Sequence, residues 1–431
     1  MKIFNLFVFI LISISGLQAQ NLYFPPLTGN NWDTISPSSL GWCQSKIDTF
    51  YNFLESRNTE SFIVLKDGKI VLEKYFGTFT ENTPHYWASS GKSLIAMLIG
   101  IAQDKNLVQI DSSVSTYLGT SWTTAPLQKE NLIKVKNLLS MNSGLDDTPT
   151  QPCVVDDTTA ICMEYLTDPN TRWAYHNGAY KKLHQILTNV SNLTLSNLTN
   201  SFLGSKIGLT GFYFDGTYYS KTRGAARFGL LSLNKGIWNG DTVLRDTNYF
   251  NSMINTSQTF NNSYGYLWWL NGKTSFMAPG IPFVFNGSLL QNAPPDTYAA
   301  LGKNDQKIYV VPSQKLVIVR FGESAYGTAA AFSPFDDEIW GYINNLTCSS
   351  TSIEELSKNQ TLLIYPNPFT TKINLNNPLE IDNVILTNVF GQLIYLGNTI
   401  QNEDFSKLKK GIYLLQIQKG LNKYYQKIMK E

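Results

Sequence analysis

The chain has 431 residues, of which 43% are hydrophobic, 13% aromatic and only 15% charged, a composition that builds a packed core and excludes disorder as the main state. Its 34 Lys plus Arg against 32 Asp plus Glu leave a formal charge of +2, without the basic footprint that a nucleic-acid partner requires. Three histidines and four scattered cysteines, with no C-x-x-C and no H-x-x-x-H, make a structural zinc site of the common spacings improbable, and no metal or cofactor is expected. At the start, Met1-Lys2, a largely apolar run over residues 3–17 and the small residue Ala19 predict a secretory signal peptide, residues 1–19. The run is too short to span a bilayer, and no longer apolar stretch follows, so no membrane span is expected in the mature protein. Export permits disulfides: Cys153 and Cys162 are close enough for a local loop, and Cys43 with Cys348 would tie together the ends of a main domain, although the connectivity is left open.

A regular pattern starts near Ser38 with a helix expected around residues 41–55. The runs Phe62-Ile63-Val64-Leu65 and Ile70-Val71-Leu72 flank Asp67-Gly68, a strong hairpin signal. Residues 89–105 place Leu94, Ile95, Met97, Leu98 and Ile101 on a helical face. Loops and short helices are expected to about Leu270, after which 308–311 and 316–319 return as strands around Pro312-Ser313. Strands early and late with helices between suggest one sheet built from both chain ends, with a helical region inserted. A polar linker is placed at 348–360. Beyond it, 361–431 has short strand-like runs at 362–365, 372–375, 384–386 and 412–417 with turns at Pro366-Asn367-Pro368, Gly391 and Gly411, a compact all-β module.

With no G-x-S-x-G elbow, a Ser-His-Asp hydrolase built on His85, His176 or His184 is disfavoured. Ser89-Ser90-Gly91-Lys92 instead puts a hydroxyl and an amine three residues apart on one helical face. The helix N-terminus favours a developing anion there, and burial would bring the Lys92 amine toward neutrality, so that serine becomes a nucleophile without histidine. The spacing recurs at Ser406-x-x-Lys409, in a charged loop with no apolar helix to bury the lysine. Tyr175-x-Asn177 offers a phenol and an amide that face one pocket if the chain is extended there, with His176 a spacer pointing away. The same spacing at Tyr249-x-Asn251 and Tyr342-x-Asn344 makes that motif uninformative alone.

Taken in order, Ser89-x-x-Lys92, Tyr175-x-Asn177 and a Gly-containing strand before Ile308-Tyr309-Val310-Val311-Pro312 resemble the serine β-lactamase and penicillin-binding-protein superfamily. The likeness is greatest to the branch with class C enzymes, carboxylesterases and 6-aminohexanoate-oligomer hydrolases. Val135-Lys136-Asn137-Leu138-Leu139-Ser140-Met141-Asn142-Ser143-Gly144-Leu145, Ala226-Arg227-Phe228-Gly229-Leu230 and Tyr264-Gly265-Tyr266-Leu267-Trp268-Trp269 are similar to family text. The resemblance implies an α/β fold, an antiparallel sheet flanked by helices plus an all-helical region, over residues 38–347. It implies Ser89 as acylated nucleophile, Lys92 as its activating partner, Tyr175 as base or proton relay and Asn177 as a supporting group. Where the family has Lys-Thr-Gly or His-x-Gly, this chain has Ala300-Leu301-Gly302, keeping only the glycine. The backbone N–H groups of Ser89 and Lys303 are the expected oxyanion hole. Without the carboxylate anchor, ester or amide substrates bound by apolar contact are favoured, with Trp268 and Trp269 candidate pocket walls, although core packing is the stronger expectation for at least one of them. A β-lactamase or D-Ala-D-Ala peptidase, and a catalytically idle relative binding cell-wall fragments or peptides, are the alternatives. The C-terminal segments Ile364-Tyr365-Pro366-Asn367-Pro368-Phe369, Phe390-Gly391-Gln392, Gly411-Ile412-Tyr413-Leu414-Leu415 and Lys427-Ile428-Met429-Lys430 resemble the type A sorting domain of the type IX secretion system. That resemblance implies a partner in the secretion machinery and a destination outside the cell or on its surface.

Overall fold

The computed structural model of the chain describes residues 22–327, 330–348, 364–375, 381–389, 391–419 and 422–431. The expected signal peptide, and residues 349–360 of the expected linker, lie outside the described residues. The chain divides into two units after Cys348.

In the first unit, helix α1 (Gln44–Ser56) leads into a hairpin of β1 (Thr59–Lys66) and β2 (Lys69–Tyr75). Asp67 and Gly68 between them both take positive φ, 52° and 83°, the turn whose twist matches that of its flanking strands. Helix α2 (Gly91–Asp104) opens a helical region that includes α3 (Asn177–Ser191) and α4 (Thr222–Leu233). The chain then returns through β3 (Trp269–Leu270), a separate hairpin of β4 (Ser275–Ala278) and β5 (Ile281–Asn286), the strands β6 (Tyr298–Gly302), β7 (Gln306–Val311) and β8 (Leu316–Gly322), and helix α5 (Pro334–Asn344).

The main sheet runs β2-β1-β8-β7-β6-β3 with every pair antiparallel. β1, from the start of the chain, pairs with β8, from its end, Ile63 opposite Val319 and Val64 opposite Ile318. Helices cover both faces. On one, Phe50 of α1 meets Phe62 and Tyr342, and Trp340 of α5 meets Tyr309. On the other, α4 lies so close that a Cβ on Gly229 would collide with Val317 and crowd Ile308. Ile308 and Tyr309 are neighbours on one strand and so point to opposite faces. A sheet covered on both sides has no polar face, hence the continuous apolar runs: Phe62 to Leu65 and Val317 to Val319 are all fully buried.

The unit reaches beyond the expected 38–347. Trp32 is buried in the core, the Tyr23 N–H donates to Asp67 O, and Arg227 donates to Pro26 O. At the other end Cys348 is bonded to Cys43, so it belongs to this unit and not to the linker. A second disulfide joins Cys153 and Cys162. Helix α5, absent from the sequence expectation, starts on a capping box in which Ser333 and Asp336 satisfy each other's backbone N–H, with Pro334 in the first turn. Because the Cys43–Cys348 bond closes 305 residues of chain, the Cys43→Ser/Cys348→Ser double variant is expected to lose about 4 kcal/mol of stability. Thermal unfolding of the two proteins checks this, and equal midpoints would refute it.

The second unit is all-β, as expected. Ile364–Tyr365 pairs with Asn374–Leu375, and a four-stranded antiparallel sheet has the order Leu393–Gly397, Asn383–Asn388, Gly411–Lys419, Asn422–Lys430. Phe369, Ile373, Val384, Leu386 and Leu415 form its core. The strands at Leu393–Gly397 and Asn422–Lys430 add to the four expected runs. Ser406 lies here in an exposed turn, bonded to Asp404. Among the described residues no helix is long and apolar enough to cross a membrane.

Candidate active site

The site begins with a short turn, Ala88–Ser90, that feeds directly into α2. Ala88 holds a left-handed φ of 48°, a conformation that costs a non-glycine residue about 1 kcal/mol or more and persists only where its surroundings enforce it. Here they do: the Trp87 N–H donates to Tyr218 O at 2.8 Å, the Trp87 indole N–H donates to Ser220 Oγ at 2.9 Å, and Ser90 Oγ donates to Trp87 O at 2.6 Å. Ser89 is thereby presented, half-buried, ahead of a helix that is buried on every side from Gly91 to Ala102.

That burial includes Lys92, which is only 5% exposed. Its Nζ donates to Ser89 Oγ at 3.0 Å, and no carboxylate among the described residues forms an ion pair with it. The ammonium position lies 5.0 Å from the Tyr175 ring centre and 4.4 Å from that of Tyr180. The rings favour the charged form modestly, but burial dominates and lowers the amine to about 7, with Asp156 opposing and Lys181 assisting.

Tyr175 comes from the segment before α3. The Ala174 N–H donates to Met141 O at 2.8 Å, so the Ser140-Met141-Asn142-Ser143-Gly144 segment serves as its scaffold. The ring stacks on Trp269 at 6.1 Å and meets Trp173 and Tyr264 edgewise or tilted. Burial raises the phenol well above its usual value, and a hydrogen bond with Ser89 pulls the other way. Asn177 is the first residue of α3, and its Oδ1 is buried with no protein partner among the described residues. His176 between them turns away, accepting from the Ala179 N–H at 3.2 Å as the cap of α3, and burial lowers it to about 4.

β6 closes the site. An added Cβ on Gly302 would stand 2.7 Å from Trp87 O, 2.9 Å from Ser90 N and 3.0 Å from Ser89 N, so only glycine lets this strand end abut the turn that carries Ser89. Lys303 follows it onto the rim. Ser89, Tyr175, Asn177 and Lys303 line one cavity of about 690 Å³, with Lys92 beneath Ser89.

The rest of the wall was not anticipated. It consists mainly of Phe276, Ala278, Ile281 and Phe285 of the β4–β5 hairpin, with Phe332 and Asp147; Asp147 is held by Arg172 at 2.5 Å. Trp268 and Trp269, candidates for the wall, are both core residues, as was expected of at least one of them. Trp268 stacks on Phe228 and meets Tyr298, and Trp269 backs Tyr175 from behind. None of the three histidines lines the cavity. His85 pairs with Glu60 at 3.0 Å, and burial lowers His184 to about 3. The close Cys153, Asp157 and Cys162 group has both sulfurs in a disulfide, so it offers no thiolate to a metal.

Residues 52–334 match the Beta-lactamase family model, and residues 363–431 match that of the secretion system C-terminal sorting domain. No curated protein matches the chain in sequence. Solved structures do match in fold. A proposed 6-aminohexanoate-dimer hydrolase from Bacillus anthracis has TM-score 0.54 at 18% identity, over 76% of this chain and 88% of that one. A proposed beta-lactamase from Bacteroides dorei DSM 17855 has TM-score 0.55 at 16% identity, over 71% and 99%. A family VIII carboxylesterase has TM-score 0.54 at 14% identity, over 71% and 99%. At these identities the likeness is one of fold.

Proposed function

From the premise that the chain belongs to the beta-lactamase family, we propose that it is a serine hydrolase that acylates Ser89 and releases the acyl group to water, acting on ester or amide substrates held by apolar contact. Its second unit is a type IX secretion sorting domain, which indicates secretion or export to the cell surface and implies contact with that machinery.

One observation carries the proposal: a buried amine, lowered to about 7, 3.0 Å from a serine hydroxyl at the wall of a cavity. In its neutral form Lys92 takes the Ser89 proton as Oγ attacks the acyl carbon. The N–H groups of Ser89 and Lys303 receive the negative charge on the former carbonyl oxygen. Collapse breaks the bond to the leaving alcohol or amine, which recovers the proton through Lys92 and the Tyr175 phenol. Tyr175 acts as a relay and not as the base, because burial keeps the phenol protonated at neutral pH. Water then attacks the acyl-enzyme with the same groups in reverse order, and the carboxylic acid departs. Asn177, whose Oδ1 has no protein partner among the described residues, orients the substrate or the lysine.

Esters and amides are favoured over β-lactams or D-peptides because Phe276, Ile281, Phe285 and Phe332 make the wall largely apolar, and because Ala300 and Leu301 supply no cation or hydroxyl at the place of the family's Lys-Thr, Lys303 being a cation at the rim. A fluorophosphonate probe is expected to label wild type on the Ser89 peptide and not Ser89→Ala, with p-nitrophenyl acetate hydrolysed and nitrocefin left intact. Folded protein that takes no label and cleaves no ester would be a binder, and nitrocefin turnover exceeding that of the ester would make it a β-lactamase.

A further inference from the structure

The β4–β5 hairpin is hydrogen-bonded to no strand of the main sheet. Phe276, Ile281 and Phe285 wall the cavity beside Ser89, yet the same hairpin faces solvent, with Phe283 60%, Ile281 47% and Val284 44% exposed. Exposed strands ordinarily carry charge, which blocks pairing with other chains, but no charged residue occurs between Lys273 and Asp296. The aromatic rings form a connected path. Phe332 meets Phe276 at 5.8 Å, Phe276 stacks on Phe285 at 5.3 Å, and Phe285 meets Phe283 at 5.0 Å. The path therefore leads from the cavity wall to open solvent without crossing a polar side chain. A contiguous exposed apolar surface marks a binding site, and this one is continuous with the place where an acyl carbon must sit. Its charged neighbours do not interrupt it, since Asp147 is engaged by Arg172 and Lys303 stands at the end of β6.

We propose that this hairpin is a rail for the acyl chain of the substrate, selecting esters and amides of long, straight-chain acids over short ones. The reading of Ser89 as the acylated nucleophile underlies it. A long chain bonded through its carbonyl at Ser89 passes between Phe276 and Ile281 and lies along Phe285 and Phe283. Its methylenes leave water there, and two methylenes buried correspond to about tenfold in binding. An acetyl group is too short to touch Phe283.

The test uses the full chain with p-nitrophenyl acetate and p-nitrophenyl decanoate, the latter below its aggregation concentration. Wild type is expected to show the higher kcat/KM on decanoate. Phe283→Ser is expected to raise KM for decanoate about tenfold and leave acetate unchanged, with an unaltered thermal midpoint because Phe283 is exposed. Phe214→Ser, a substitution at an exposed phenylalanine outside the cavity, is expected to change neither. The rail is refuted if acetate is the better substrate, if Phe283→Ser weakens both esters equally, or if decanoate is cleaved only once it aggregates, which would assign the surface to an amphiphile interface. Ser89-dependent acetate turnover alongside any of these leaves the hydrolase standing. No turnover of either ester and no label on Ser89 removes the hydrolase and the rail together.

Discussion

Lys92→Met is expected to slow acylation of Ser89 about a thousandfold, within the range lost with a positioned general base. The substitution keeps an unbranched apolar arm in the same buried channel, against the rings of Tyr175 and Tyr180, and removes a polar group whose burial is costly. Thermal stability should therefore hold or rise while activity falls, a pairing that a purely structural lysine would not give. Stopped assays with p-nitrophenyl acetate and the rate of fluorophosphonate labelling both read it. Tyr175→Phe keeps the stacking on Trp269 and is expected to lose less, because in the proposed cycle the phenol relays a proton that Lys92 accepts first. An equal or larger loss in Tyr175→Phe would exchange the two roles.

Gly302→Ala is expected to lower kcat by about a hundredfold or more with a modest loss of stability. The backbone is not the obstacle: Gly302 has an extended φ of −132° that alanine adopts freely. Space is. The new methyl would stand 2.7 Å from Trp87 O and 3.0 Å from Ser89 N, so β6 must retreat from the Ser89 turn and take the Lys303 N–H with it. Losing one oxyanion donor costs about 10²–10³ in rate, whereas overpacking of this size costs about 1–3 kcal/mol of stability. Lys303→Ala keeps the N–H and should leave kcat on acetate unchanged. If Gly302→Ala works normally, the N–H of Lys303 is not part of the site.

Ser89 and Lys92 were legible because their signals are local, whereas Tyr175 stood out only through the order of motifs that carries the family resemblance, its spacing to Asn177 being repeated elsewhere in the chain. Asp67-Gly68 declares its hairpin through φ, Ser89-x-x-Lys92 declares its face through helical period, and the strands of β1, β7 and β8 are apolar runs bounded by turns. The sheet's closure by β1 on β8 followed from those runs lying at both chain ends. What escaped was set by distant contacts. Trp268-Trp269 has the composition of an apolar wall, but which way a tryptophan points depends on Phe228, Tyr298 and Tyr175, far away in sequence. The β4–β5 hairpin has a Pro279-Gly280 turn, yet its strands do not alternate, since an exposed apolar face looks like core when only the sequence is known. Helix α5 was hidden because its cap residue, Ser333, sits in a short loop like many others. Asp147 carries no motif, and its place on the wall is fixed by Arg172.

The central claim is that a neutral Lys92 activates Ser89, and the pH dependence of fluorophosphonate labelling measures it most directly. The lowered amine is protonated and inactive below about 7 and free to accept a proton above it. The labelling rate should therefore rise with pH through a single apparent pKa near 7 and level off. In Lys92→Met that step should vanish and leave a low residual rate. A rate that climbs only toward the ordinary range of an exposed lysine or phenol, above about 10, or a step near 7 that survives in Lys92→Met, would contradict it.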